Sequence, residues 1–334
     1  MFELLNCNAN TFALCPLPLA LSHTMSIIKK LIRWFIFGFI IFFIASSLHQ
    51  NWQLIKEIEL TRFIWLMLVL SLFFNLTAHV FSAWVWTWIL DLFATKLRGL
   101  DAIVTYLITN ISKYLPGNVW HFVGRVKAIQ KAGDDLATAT VTVVIEPLLM
   151  AIAALLITII SASLGFATMG FSPLIFSLQI VVIIGALGGI NPIIINPILS
   201  KLAKGKGSEK ATQLTKYPLI PLLGELVFLL LRGCAFLVIL ASLIEIPING
   251  ISQVLTTFSF AWLLGLIVPG APGGIGVFEA TVIATLDGDV FPPEIILVVV
   301  AFFRISSILA EAITAYGAVV KDKGRGTRDE GKSI

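Results

Sequence analysis

The stretch Val268-Pro269-Gly270-Ala271-Pro272-Gly273-Gly274-Ile275-Gly276-Val277-Phe278-Glu279 constrains this chain more than any other. It sets two prolines and four glycines between two apolar runs, 255–267 and 277–286. Backbone this irregular has N–H and C=O groups that lipid cannot satisfy, so it must be buried in protein or line a watery cavity. In membrane transporters such interrupted helices mark the site. A second stretch echoes it: Tyr114-Leu115-Pro116-Gly117-Asn118-Val119-Trp120-His121-Phe122-Val123-Gly124-Arg125. Each has a Pro-Gly break and then a charge, Arg125 nine residues beyond Pro116 and Glu279 ten beyond Pro269.

The remainder of the chain has the composition of a bilayer solute. Only 13% of its 334 residues are charged, against about 25% in soluble domains, and 58% are hydrophobic. This predicts an all-α, polytopic membrane protein embedded in a lipid bilayer. The formal net charge of +4 does not point to nucleic acid, because the basic residues cluster at the ends of apolar runs. That is the pattern the positive-inside rule gives cytoplasmic loops. Cys7, Cys15 and Cys234 have no metal-ligand spacing and form no even-numbered disulfide framework, so neither a metal nor a cofactor is expected.

In order, residues 1–25 read as an N-terminal extension, disordered or preceding the true start, since Met25-Ser26-Ile27-Ile28-Lys29-Lys30 resembles the beginning of a membrane protein. Residues 26–320 form one transmembrane domain, and 321–334 a basic cytoplasmic tail. Full spans are expected at 31–48, 63–90, 137–164, 173–190, 218–244 and 295–320. A crossing needs about 20 apolar residues, and 101–112 and 119–129 are each too short. Basic residues flank both ends of this pair, which predicts a re-entrant hairpin opening to the cytoplasm. The loops 245–250 and 287–294 lack basic residues, so 251–267 and 277–286 form a second hairpin opening outward. Two opposed hairpins flanked by spans amount to a possible inverted repeat, with the site between their tips. The alternative is eight ordinary hydrophobic segments whose glycines only allow close helix packing. Both readings leave the two termini cytoplasmic, in an inner cell membrane.

The residues Leu115-Pro116-Gly117-Asn118 and 269–279 resemble the membrane domain of the bifunctional lysylphosphatidylglycerol synthase/flippase and of the family built on that domain alone. The string Pro272-Gly273-Gly274-Ile275-Gly276-Val277-Phe278-Glu279 carries most of the likeness. The resemblance spans roughly 26–320 and implies a helical lipid-translocating fold with a phospholipid or lipid-linked substrate. The chain reads as a stand-alone transmembrane member, without the soluble aminoacyl-transferase domain, so synthase activity is not implied.

Charges within the apolar runs are the remaining signal. One charge at the bilayer centre costs on the order of 2.5–3.5 kcal/mol, so Glu146, Glu225, Arg232, Glu279, Arg304 and Glu311 should be paired or solvated. Counting about 1.5 Å per residue sets Glu225 level with Arg304 towards the cytoplasm. The same count sets Arg232 level with Glu279 in the outer half. These pairs are either static ties or a site in which arginines draw in a lipid phosphate, whose geometry they match. Lys113, Pro116, Gly117, Asn118, Arg125, Arg232, Pro269, Gly270, Gly273, Gly274, Gly276 and Glu279 are the candidate substrate-binding residues. His121 is expected to be an ordinary hydrogen-bonded histidine. The function expected is translocation of lipid between leaflets. The alternatives are a membrane enzyme, for which no catalytic constellation is visible, or an accessory protein with a homo-oligomeric or envelope-assembly partner.

Overall fold

A computed structural model describes residues 61–115, 119–163, 173–204, 213–268, 276–286 and 288–330, together with His49, Lys56, Glu59 and Gly274. The expected extension 1–25 and first span 31–48 lie outside these residues. The described chain is helical: α1 Arg62–Leu92, α2 Gly99–Asn110, a 3₁₀ turn Ile111–Tyr114, α3 Trp120–Lys131, α4 Leu136–Ser163, α5 Pro173–Gly189, α6 Pro192–Lys204, α7 Leu219–Ala241, α8 Ile248–Ile267, α9 Val277–Thr285 and α10 Pro293–Glu330. Among the described residues there is no strand. Five helices (α1, α4, α7, α8 and α10) are long and apolar enough to cross a membrane. The protein is a multi-pass integral membrane protein.

Local chemistry sets the helix ends. Thr61 Oγ1 accepts from Ile64 N at 3.3 Å to start α1. Asp135 opens α4, accepting from the backbone N–H groups of Ala137 at 2.9 Å and Thr138 at 3.0 Å. α6 was not foreseen in the sequence, where 191–204 falls between an expected span and a basic loop. Asn191 starts it, accepting from Ile193 N at 3.0 Å. Asn196 then holds the following segment through Leu214 N at 2.8 Å. The expected full span 173–190 is the 17-residue α5, which is not among the helices long enough to cross. The segment expected as a tail from 321 continues α10 as helix to Glu330.

Both breaks fold back as hairpins. α2 and α3 have 12 residues each, about 18 Å, and neither reaches across about 30 Å of hydrocarbon. Their outer ends meet, since Lys96 N donates to Asp134 at 2.8 Å and Lys96 Nζ to Gly133 O at 2.8 Å. α8 is long enough to cross by itself, but the chain returns along it. Gly274 lies against Gly265, Thr285 Oγ1 is 3.4 Å from Thr257 Oγ1, and Phe291 packs at Gly250. At Gly265 an added Cβ would sit 3.2 Å from Gly274 Cα, so this fold-back needs glycine on both sides.

The hairpins point in opposite directions. α1 and α10 run parallel, because Ser71 and Asn75 meet Ser306 while His79 meets Glu311. α7 runs against α1, with Gly224 beside Val85 and Trp88, and Arg232 beside Asn75. The α2–α3 hairpin therefore opens on the face where α1 ends. The α8–α9 hairpin opens on the face where α10 begins. Exchanging α1, α2, α3, α4 for α7, α8, α9, α10 turns every packing contact among these eight helices into another observed contact. α1 on α10 becomes α7 on α4, and α4 on α8 becomes α10 on α2. The molecule is an inverted repeat about the α1–α7 contact.

Candidate functional site

Polar side chains recur every four residues along one face of α1: Ser71, Asn75 and His79, all buried. They meet Ser306, Ser307 and Glu311 of α10 and Arg232 of α7 between the two hairpin tips. Asn75 Nδ2 donates to Ser71 O at 3.1 Å and to Ser306 Oγ at 3.0 Å, which leaves its carbonyl facing Arg232. The Arg232 guanidinium donates through Nη1 to Asn75 Oδ1 and, at 2.7 Å, to Ser307 Oγ. Its carbon lies 4.9 Å from the Trp262 ring and 4.7 Å from the Phe303 ring. Aromatic faces of this kind attract a cation without neutralising it.

The tip of the α2–α3 hairpin brings Lys113 to this layer. Lys113 Nζ donates to Glu311 Oε1 at 2.6 Å. His79 Nε2 lies 3.1 Å from the same oxygen, without the alignment of a hydrogen bond. From the opposite side, the α8–α9 tip brings Gly274, Gly276 and Glu279. Glu279 closes the first turn of α9, where Gly276 N donates to its Oε2 at 2.7 Å. Its Oε1 accepts from Arg304 Nε at 2.5 Å, and Arg304 Nη2 is 3.4 Å from Gly274 O. The α9 tip is thus tied to α10 by an ion pair whose side chains keep 17% and 19% of their exposure.

A second cluster lies below the α2–α3 hairpin. Arg125 Nη1 donates to Glu146 Oε2 at 2.5 Å, and Tyr106 Oη donates to Glu146 Oε1 at 2.6 Å. Ser82 Oγ is 2.6 Å from the Tyr106 oxygen. The guanidinium lies over the Tyr106 ring at 3.7 Å. Its Nη2 reaches Asn110 Oδ1 at 3.4 Å, one helical turn before Lys113. The two ion pairs are counterparts in the repeat with their signs exchanged. Arg125 and Glu279 sit on the returning arms α3 and α9, while Glu146 and Arg304 sit on the spans that follow.

The expected pairings of Glu225 with Arg304 and of Arg232 with Glu279 do not form. Depth along a helix was read correctly for Arg232, the fourteenth of the 23 residues of α7. It failed for Arg304, which lies two residues before Ser306, the residue that meets Ser71 and Asn75, and so sits in the layer of Arg232 and Glu279 and not level with Glu225. Glu225 is fully buried, and neither carboxyl oxygen has a hydrogen-bond partner. His121 is buried and its Nδ1 is likewise without a partner, contrary to expectation. Of the other candidate residues, Pro116, Gly117, Asn118, Pro269, Gly270 and Gly273 lie outside the described residues. Asn75, His79, Tyr106 and Ser307 escaped the sequence reading, although the Ser71-Asn75-His79 spacing in an apolar span was a usable signal.

No protein-family model matches the chain, and no curated protein matches it. The class is therefore defined by the fold and the site. It is a multi-pass membrane protein of inverted repeats with a polar layer between two broken helices.

Proposed function

We propose that this protein binds an anionic headgroup at Arg232 and moves a phospholipid or lipid-linked substrate between leaflets without chemical change. One observation carries the reading. Arg232 is 3% exposed, yet among the described residues no carboxylate lies within 4.0 Å of it. Glu311 is already held by Lys113, and Glu279 by Arg304, so among the described residues the central layer has three cations (Lys113, Arg232, Arg304) to two carboxylates. A buried charge without a counter-ion costs several kcal/mol, and an incoming phosphate supplies one. Guanidinium matches phosphate bidentately, whereas a lone ammonium acts as a point charge.

The opposed hairpins support transport in particular. Substrate sites of inverted-repeat transporters lie at mid-membrane between broken helices, and alternating access comes from rocking one repeat against the other. The exposed apolar side chains, among them Phe63, Trp65, Phe73 and Tyr316, suit contact with lipid. For orientation, Lys96, Arg98, Lys131, Lys216 and Lys321 gather on the face where α1 and α10 run out, which the positive-inside rule makes cytoplasmic. In this reading the protein sits in the inner cell membrane with both termini inside. In the same reading its membrane domain belongs with that of the lysylphosphatidylglycerol synthase/flippase family, which its Pro-Gly strings resemble.

The binding step is tested with purified protein and soluble short-chain lipids, comparing phosphatidylglycerol with a neutral diacylglycerol. Phosphatidylglycerol should bind and raise thermal stability, the neutral lipid should not, and Arg232→Gln should abolish the difference. Equal stabilisation by both lipids would overturn an anion site at Arg232.

A further inference from the structure

Glu225 is a buried carboxyl on α7 that has no part in the lipid-binding reading. It occupies the seventh position of α7, about 9 Å from the end of the helix beside Lys216. Its side chain is wholly buried and both carboxyl oxygens lack a hydrogen-bond partner. The ionisable groups that act on it electrostatically are Glu146 from α4, Arg125 from α3 and Tyr106 from α2. Among the described residues, α1, α8 and α10 add no charge to this set.

The local charge balance determines what Glu225 must be. Arg125 is committed to Glu146 at 2.5 Å, and Glu146 is completed by Tyr106 at 2.6 Å. One cation therefore serves two buried carboxyls. An ionised carboxylate without a partner is so costly in low dielectric that the group takes up a proton instead. A metal ion is not the alternative, since hard cations such as calcium take six to eight oxygen ligands. No group of three or more His, Cys, Asp or Glu residues converges among the described residues.

We propose that Glu225 is a proton-binding site whose occupancy controls the Arg125–Glu146 tie, and through it the α2–α3 hairpin. With the proton on, Glu225 is neutral and Arg125 stays with Glu146, fixing α3 to α4. With the proton off, a second carboxylate competes for the same guanidinium. Arg125 shifts towards it, and the link through Asn110 to the Lys113 tip loosens. The proton leaves to, and returns from, the aqueous face nearest Lys216. Resting on the translocation reading, this makes lipid movement respond to the pH of that face.

Infrared spectroscopy of the purified protein reads the proton directly. At neutral pH the spectrum should contain a protonated-carboxyl band that is lost in Glu225→Gln and kept in Glu279→Gln, whose carboxyl lies outside this cluster. Because glutamine mimics the neutral acid, Glu225→Gln should fold as well as wild type, and Glu225→Met provides a second neutral form if it does not. The switch is read with Ser112→Cys in a chain whose native cysteines are serines. Thiol labelling should rise with pH several-fold more than in the same chain carrying Glu225→Gln. An unchanged carboxyl band in Glu225→Gln would overturn the proton site, and an identical pH dependence in the two chains would overturn the switch. Neither measurement needs lipid transport, so their failure and the failure of the transport reading are told apart. With transport established, changing the pH on that face alone should alter the rate of lipid movement in wild type and not in Glu225→Gln.

Discussion

Asn75 and Arg232 occupy the same position, the fourteenth residue, in the helices that open the two repeats, and the side chain of one accepts a hydrogen bond from the other. The contact therefore lies on the symmetry axis relating the opposed hairpins. A residue on that axis stays central whichever hairpin moves, which is where an alternating-access site must be. Sequence duplication would have placed identical residues here. The chain instead has a cation facing a neutral acceptor, so the site has a surplus of positive charge.

The two sign-exchanged ion pairs differ in burial, and their costs of disruption should differ accordingly. Arg125 and Glu146 are each about 2% exposed, whereas Glu279 and Arg304 retain 19% and 17%. Breaking a fully buried pair costs about 3–5 kcal/mol, because a charge is stranded. Arg125→Ala or Glu146→Ala should sharply lower the thermal stability of the detergent-purified protein, and the double variant should recover much of it. Glu279→Ala and Arg304→Ala should each cost clearly less. Equal losses at the two pairs would contradict the assignment of burial.

The hairpin directions predict opposite labelling of two introduced cysteines. Position 131 closes the α2–α3 hairpin, and position 289 lies in the loop that closes the α8–α9 hairpin. A membrane-impermeant thiol reagent added to intact cells should reach a cysteine at Asp289 and not one at Lys131. Labelling of both from one side would contradict the inverted arrangement.

Gly274 and Gly276 provide an internal control on the α8–α9 turn. Both have positive φ, +72° and +84°, where an L side chain is strained. Only at Gly274 does an added Cβ meet backbone, at 3.0 Å from Gly265 Cα. Gly276→Ala should cost about 1 kcal/mol from strain alone. Gly274→Ala adds an overpacking cost of about 1–3 kcal/mol and should lower the melting temperature further. Equal melting temperatures would mean that the hairpin does not close as described.

Much of this architecture is legible in the sequence, and the reason is physical. Lipid forces helix wherever backbone is not otherwise satisfied, so apolar run lengths give the helices closely. The expected 63–90 and 137–164 became 62–92 and 136–163, and the helices on either side of each Pro-Gly break pack against one another. Pairing was not legible. Residue counting needs the right zero, and Glu225 and Arg304 were set level although Gly224 meets Val85 while Ser306 meets Ser71 and Asn75, more than two turns away along α1. With Arg304 given the wrong height, Glu279 was assigned to Arg232 instead of the arginine it meets. Asn75 and His79 went unnoticed because a neutral amide and a histidine raise no alarm in a span read for charges. Their i, i+4 spacing from Ser71 would have marked one polar face. α6 was missed because Asn191, which starts it, reads as the end of the preceding span.

The central claim is that an uncompensated cation on the repeat axis draws in a lipid anion, and Asn75→Asp tests it most directly. That change sets a carboxylate against Arg232, supplying from within the counter-ion that the lipid would bring. The measurement is the rate at which labelled phosphatidylglycerol in sealed proteoliposomes becomes accessible to an impermeant quencher. Wild type should move the lipid, and Asn75→Asp should remain folded, at least as heat-stable as wild type, and inactive. An Asn75→Asp protein that transports at the wild-type rate would contradict the account.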